Sequence, residues 1–346
     1  MRAWVEIDLN ALVRNARTLA SRARVPLLPM VKADAYGLGA LPVVHALESL
    51  DPWGYGVATI EEGAALRAAG IARHIIVFTP LLVDELAAAR REGLTPALGT
   101  AEGIAAWAPT GAPWHLAIDT GMNRAGMPWD AIDTLGRTPE GAFTHFHSAE
   151  CDNGSMELQL ARFREAISRL PARPQFLHAE NSPALQRLTG PSAWDIVRPG
   201  VFLYGVGATA EPVATLRARV VDVRAIPAGE TVSYGATYRA ATPRRIATLA
   251  LGYADGYRRA FGNRGRAIVK DHEVPVVGTV TMDMTMIDVT DVPCVPGDVA
   301  TLLGRAGRRV LDAVTVAEGG GVSPYELLVG LALRAERIYT RSAGYT

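Results

Sequence analysis

The sequence of 346 residues predicts an α/β protein: an N-terminal (β/α)8 barrel of the TIM type, then a mostly β C-terminal domain. Three observations carry this expectation. Short apolar runs alternate with amphipathic stretches rich in Ala, Leu, Arg and Glu over the first two-thirds of the chain, as strands feeding outer helices do. Eight such strand–helix units fit into roughly 200 residues, the repeat of a closed parallel barrel. From about residue 215 the pattern changes to half-buried strands separated by Gly and Pro turns. The expected division is 1–214 for the barrel and 215–346 for the β domain.

The candidate barrel strands are 26–32, 54–58, 74–78, 95–98, 114–119, 142–147, 175–179 and 194–198. The first is the apolar run Pro26-Leu27-Leu28-Pro29-Met30-Val31, a short buried strand delivering Lys32 to its far end. Ile60 through Arg67 and Met156 through Leu170 are examples of the helical stretches between strands. An open doubly wound sheet is the runner-up, but no G-x-G-x-x-G turn follows the first strand. In the second domain, strands are expected at 216–223, 246–251, 266–269, 274–287 and 298–303, with a closing helix near Pro324–Leu333.

Formal charge is zero, which leaves no basic face to argue for nucleic acid or an anionic membrane. No uncharged stretch reaches the roughly 20 residues needed to span a bilayer. Glu6 and Asp8 fall where a signal peptide would need an apolar core. Cys151 and Cys294 are far apart and outside any C-x-x-C pattern, so neither a disulfide framework nor a metal site is expected. The expectation is a soluble cytoplasmic protein.

Of the 35 basic residues only Lys32 and Lys270 are lysine. Guanidinium keeps its proton, whereas an ammonium can be desolvated, deprotonated and turned into a Schiff-base nucleophile. From the count alone, a chemical need and compositional drift stand even. The strand ends decide between them, because a barrel of this kind carries its active site there. Lys32 ends the first strand, with Tyr36 just beyond. The fifth runs into Asp119-Thr120-Gly121-Met122-Asn123-Arg124 and the sixth into Thr144-His145-Phe146. His178 to Ser182 ends the seventh, and Arg198-Pro199-Gly200-Val201 the eighth. Asn181-Ser182 and Gly200-Val201 suit a phosphate dianion through a hydroxyl and free backbone N–H groups. Ser182-Pro183 alone would read as an ordinary helix cap with proline at its first position. Beside a Schiff-base lysine it reads as half of a pyridoxal-phosphate site.

These motifs match a known family. The chain resembles bacterial alanine racemases over nearly its whole length, through Val31-Lys32-Ala33-Asp34-Ala35-Tyr36-Gly37, Asp119 to Arg124, Thr144-His145-Phe146, Asn181-Ser182 and Val197 to Val201. In the second domain the matches are Ser233-Tyr234-Gly235-Ala236-Thr237-Tyr238, Gly252-Tyr253-Ala254-Asp255-Gly256 and Met282-Asp283. The resemblance implies a pyridoxal 5'-phosphate enzyme acting on alanine as a head-to-tail homodimer with shared sites, supplying D-alanine for peptidoglycan. It implies that Lys32 holds the cofactor and is one base, with Tyr234 of the partner copy the opposite-face base. Racemisation needs such a pair, one group removing the proton and the other returning it from the far side. The resemblance further places Arg198 on the pyridine nitrogen with His178 behind it, and His145 on the ring, orienting Tyr234. Tyr36, Asn181, Ser182, Gly200 and Val201 would hold the phosphate, Arg124 and the Met282 backbone the substrate carboxylate, and Tyr253 would line the approach.

The chain departs from the family pattern at four positions. Ala117 stands where a carbamylated lysine commonly steadies the arginine, so a bound anion such as chloride, or a nearby carboxylate, is expected beside Arg124. Asn123 replaces a usual glycine, Leu333 a usual tyrosine, and Thr279 an often basic residue. These changes leave a broad-specificity amino-acid racemase as the alternative to strict alanine use. A decarboxylase of the same fold would pair the pyridine nitrogen with an acid rather than Arg198. A non-enzymatic pyridoxal-phosphate protein would have no use for Tyr234, Tyr253 and Met282. A cofactor-free Schiff-base aldolase is the remaining rival.

Overall fold

The computed structural model describes residues 1–134, 136–331 and 333–340. By packing, the chain divides into two compact units: Ala16–Ala35 with Val43–Phe202, and Met1–Asn15 with Tyr36–Pro42 and the chain from Leu203 onward.

The first unit is the barrel. Six staves are regular parallel strands, hydrogen-bonded in the order Gly54–Val57, His74–Val77, Thr95–Leu98, His115–Asp119, Gly141–Phe143 and Phe176–His178. The other two expected strands, 26–32 and 194–198, are irregular. Pro26 and Pro29 cannot donate to a ladder, which keeps the first from regular pairing. They close the ring nonetheless. Leu28 N–H donates to the Val197 carbonyl at 2.8 Å and Val31 N–H to that of Gly56 at 2.8 Å, while Asp195 N–H reaches Leu177 at 2.9 Å. Leu28, Ile76, Ala97, Phe143 and Ile196 form one buried cluster within it. The helix Ile60–Ala68 starts in a capping box, the Thr59 hydroxyl accepting the Glu62 N–H while the Glu62 carboxylate reaches back. Thr100 caps Ala101–Trp107, and Asn181, not Ser182, caps Ser182–Arg187. Among the described residues no helix is long and apolar enough to cross a membrane.

The second unit is built on the 13-residue strand Ala214–Ile226. It pairs antiparallel with Ala3–Asp8, Val299–Ala306 and Arg244–Leu249. Ala3–Asp8 also runs parallel to Glu336–Thr340, a strand absent from the sequence reading. This ladder groups the first fifteen residues with the β unit, although the sequence places them in the barrel. Tyr36–Pro42 joins the same unit. A Cβ at Gly37 (φ +83°) would meet the Leu328 carbonyl at 2.7 Å, and the Tyr36 ring stacks on Tyr204 at 4.6 Å. A hairpin of Thr231–Val232 and Tyr238–Arg239 brackets Tyr234. The last helix runs Pro324–Gly330, three residues shorter than expected at its end.

Leu28→Ala should lower unfolding free energy by about 2–5 kcal/mol, since a fully buried side chain in the barrel cluster leaves a cavity. Denaturant titration checks this, and a loss below about 1 kcal/mol would argue against a close-packed ring interior.

Candidate active site

Lys32 is followed by an unusual backbone. Ala33, Asp34 and Ala35 take φ of 52°, 53° and 53° and Tyr36 takes 56°, a left-handed turn without glycine. Each such residue costs about 1–2 kcal/mol, so the turn persists only where its surroundings hold it. Ala35 N–H donates to the Val31 carbonyl at 2.8 Å, and Ala33 N–H to Glu62 Oε1 at 2.6 Å. Burial pushes the Lys32 amine below its ordinary pKa, and the Arg124 charge pushes the same way; Glu62 pulls it back up. A lowered amine pKa raises the deprotonated fraction that can attack a carbonyl.

Arg198 is buried at the ends of the barrel's sixth, seventh and irregular eighth staves. Its four Nη–H bonds are all spent. Nη1 donates to His178 Nδ1 and to the His178 carbonyl, both at 2.7 Å, and Nη2 to the Thr144 and Ala179 carbonyls at 2.6 and 3.0 Å. The Phe143 ring lies 5.1 Å from the guanidinium carbon. Nε–H is therefore the donor left over, suited to a single in-plane acceptor such as a pyridine nitrogen. Burial lowers the Arg198 pKa to about 9, against the upward pull of Glu180, so it stays cationic at neutral pH.

A guanidinium can only donate, and that orders two imidazoles behind it. His178 Nδ1 must accept, which puts its proton on Nε2, 2.8 Å from His115 Nδ1. His115 then accepts there and carries its own proton on Nε2, 3.6 Å from the Glu140 carboxylate. Burial foremost, with the Arg198 charge acting the same way, holds both rings well toward neutrality. His178 thus stands behind Arg198, bonded to it; His115 and Glu140 were missed, because their barrel-interior contacts join positions far apart in sequence.

His145 lies within the field of the same cations. Burial, then Arg198, Arg124 and Lys32, lower its pKa to about 3, so it is a neutral ring at working pH. Gln159, also missed, supports this loop by donating to the His145 carbonyl and to Thr120 Oγ1, each at 3.1 Å. The loop carrying Arg124 is tied to Asp119, which accepts from the Gly121 and Asn123 N–H groups at 2.8 and 3.2 Å. Asn123 has φ of 54°, a left-handed position that asparagine tolerates better than other side chains, which explains how it replaces glycine. Among the described residues no ion pair joins a carboxylate to Arg124.

Asn181 Oδ1 is committed to capping, accepting the Ala184 N–H at 3.1 Å. The Ser182 oxygen accepts from the Gly200 and Phe202 N–H groups at 2.8 and 3.3 Å, which leaves its own buried proton free to donate. Val201 opens a short 3-10 turn beside it. A hydroxyl backed by two amides is a ready phosphate donor, and with Lys32 and the Arg198 Nε–H these residues fit pyridoxal 5'-phosphate.

Tyr36, Tyr234, Tyr253 and Met282 belong to the β unit. Burial, with Tyr325 adding to it, pushes the Tyr36 hydroxyl pKa upward, so it remains a donor. Tyr234 is 73% exposed in the single chain. Ser233, Gly235 and Ala236 around it have φ of 67°, 75° and 49°. Thr279 pins this loop, its hydroxyl donating to the Tyr234 carbonyl at 2.8 Å and its carbonyl accepting from Ser233 at 2.6 Å. The position read as a departure thus has a structural task. Tyr253 N–H donates to the Thr281 carbonyl at 3.0 Å and Ala254 N–H to that of Met282 at 3.1 Å, locking the two loops together. Arg334 bridges Asp255 and Asp283 behind them, at 2.7 Å to each. Leu333 is exposed.

Residues 7–208 match the family model for the alanine racemase N-terminal domain, and 213–339 that for the C-terminal domain. An alanine racemase of Symbiobacterium thermophilum is 37% identical, covering 97% of this chain and 96% of its own length. The solved alanine racemase of Streptomyces coelicolor A3(2) superposes with a TM-score of 0.91 at 31% identity, over 99% of this chain and 98% of that one. The alanine racemase of Bartonella henselae, solved with covalently bound pyridoxal phosphate, gives 0.90 at 28% identity, over 98% and 100%.

The neutral imidazoles predict a pH dependence. His115 and His178 have folded pKa values below the ordinary 6.5, so their contribution to stability is complete above about pH 6.5 and is lost as pH falls below it. Each of these two buried rings should contribute up to about 1.4 kcal/mol per pH unit there. The slope of unfolding free energy between about pH 7 and about pH 5 should be smaller in His178→Gln than in the parent. Equal slopes, or a 15N signal showing either ring titrating near 6.5, would overturn the ordered chain.

Proposed function

The chain belongs to the alanine racemase family, and from that premise we propose that it interconverts L- and D-alanine with pyridoxal 5'-phosphate held on Lys32. The observation that carries the reading is the presence of a half-buried, pKa-lowered lysine and a buried arginine whose one unspent donor is Nε–H. Bound pyridoxal phosphate supplies an aldehyde for the substrate amine and a ring that spreads the charge left when the α-proton departs. Lys32 Nζ takes or returns that proton on one face of the α-carbon. The Tyr234 hydroxyl, donated by the second copy of a homodimer, does so on the other. No proton is gained or lost over the cycle, and either base can start it.

Arg198 decides the outcome among reactions such a cofactor can support. Its guanidinium donates to the ring nitrogen without surrendering a proton, so the ring is a weaker electron sink than one paired with an acid. The α-carbon is then reprotonated quickly, which favours racemisation over transamination. Neutral His145 packs on the ring and orients Tyr234. Arg124 and the Met282 N–H meet the substrate carboxylate, while Tyr253 lines the approach. Ser182, Tyr36, Gly200 and Val201 hold the phosphate, with Asn181 setting the helix start. A cytoplasmic enzyme making D-alanine for peptidoglycan is the setting in which this activity has a use.

A circular-dichroism assay on a panel of L- and D-amino acids tests the reading, with alanine expected to lose its signal fastest. Tyr234→Phe should lower racemisation by about 10²–10⁴-fold while leaving the bound colour, as loss of one acid–base group does. Lys32→Ala should lose both. Mixing these two inactive variants should regenerate one intact site per mixed dimer. No recovery after proven subunit exchange would refute donation between copies.

A further inference from the structure

We propose that Glu62 is a positioning residue for Lys32: its carboxylate fastens the left-handed turn that follows the lysine and sets the charge environment of the lysine nitrogen. The inference rests on Lys32 being the cofactor lysine. Sequence patterning explains Glu62 completely as the third residue of a capping box, and nothing beyond that role is needed to start the helix Ile60–Ala68. The structure gives it more to do. Oε1 accepts the Ala33 N–H at 2.6 Å, and Oε2 accepts those of Ala58 at 2.7 Å and Thr59 at 3.4 Å. One carboxylate therefore ties the peptide after Lys32 to the end of the neighbouring stave Gly54–Val57 and to the helix behind it.

The tie falls where the backbone needs it. The ladder of the first stave stops at Val31, whose N–H reaches Gly56, and the residues after Lys32, Ala33 to Tyr36, turn left-handed. Without an acceptor at Ala33 the turn would relax toward an ordinary right-handed path and swing Lys32 away from its neighbours. The titratable and charged groups facing Lys32 are Arg124 after the fifth stave, His145 after the sixth and Glu62 itself. Glu62 is the carboxylate among them, so it opposes Arg124 and favours a cationic nitrogen at Lys32. It acts through that nitrogen and through the turn, without touching substrate.

The test uses the full-length holoprotein, with pyridoxal 5'-phosphate as the probe. Glu62→Gln should move the pH midpoint of the cofactor's visible absorbance down by about one unit, as expected for removal of a nearby opposite charge. It should also slow recapture of pyridoxal 5'-phosphate, after stripping with hydroxylamine, by on the order of tenfold, because misplacement of the amine by the loosened turn outweighs its larger deprotonated fraction. Thr59→Ala breaks the capping box while leaving the Glu62–Ala33 bond, and Glu61→Gln removes an adjacent exposed charge; both should behave as the parent. If Glu62→Gln does not fold, Glu62→Asp replaces it, keeping the charge but shortening its reach. Slow recapture with a near-parental midpoint is then expected. An unchanged midpoint and recapture rate in Glu62→Gln, or the same change in Thr59→Ala, overturns the proposal while leaving the cofactor lysine in place. Absence of Lys32-dependent colour in the parent overturns both.

Discussion

Burial of the Arg198 guanidinium is the constraint around which the barrel end is arranged. A charge taken out of water is tolerated only when its hydrogen-bonding capacity is met. The fold meets it with three backbone carbonyls and one imidazole, leaving Nε–H alone. Those carbonyls come from Thr144, His178 and Ala179, so the ends of the sixth and seventh staves are held by the same group that they satisfy. The requirement spreads inward, since a donor on His178 Nδ1 dictates which nitrogen carries the proton there and, one ring further, on His115.

Backbone strain is the second recurring theme. The chain takes positive φ without glycine at 33–36, beside Lys32, and at Ser233 and Ala236, beside Tyr234. Both groups assigned to proton transfer thus sit next to conformations that cost free energy. Ala33 in the first is clamped by Glu62, and the Tyr234 loop by Thr279. Strain held this way gives a rigid presentation that a relaxed loop would not, which suits chemistry needing a base at a defined angle.

Much of the site was legible because barrel topology converts sequence position into spatial position. Once strand ends were located, Lys32, Arg124, His145, His178, Ser182 and Arg198 were expected to share one rim, and Lys32, Arg124, His145 and Arg198 lie within one another's electrostatic reach with His178 bonded to Arg198. What failed was locally ambiguous. The strand Glu336–Thr340 pairs with Ala3–Asp8 across almost the whole chain, and neither segment announces that partner. The helix cap is likewise Asn181, which the sequence had assigned only to the phosphate, and this leaves the Ser182 hydroxyl free.

The sequence alone determined the chemistry on offer, because residue type decides what a group can do: a primary amine at 32, a permanent cation at 198, a phenol at 234. It also pointed to parallel strands with outer helices, and the lack of a G-x-G-x-x-G turn after the first strand favoured a barrel over an open sheet. Tertiary structure decided which hydrogen bonds remain unspent and which backbone is strained. Glu62 reaching Ala33, His115 receiving the His178 proton and Thr279 holding Tyr234 all join residues distant in sequence. Such long-range pairings follow from how packed elements come to face one another, and periodicity along a chain carries no record of that.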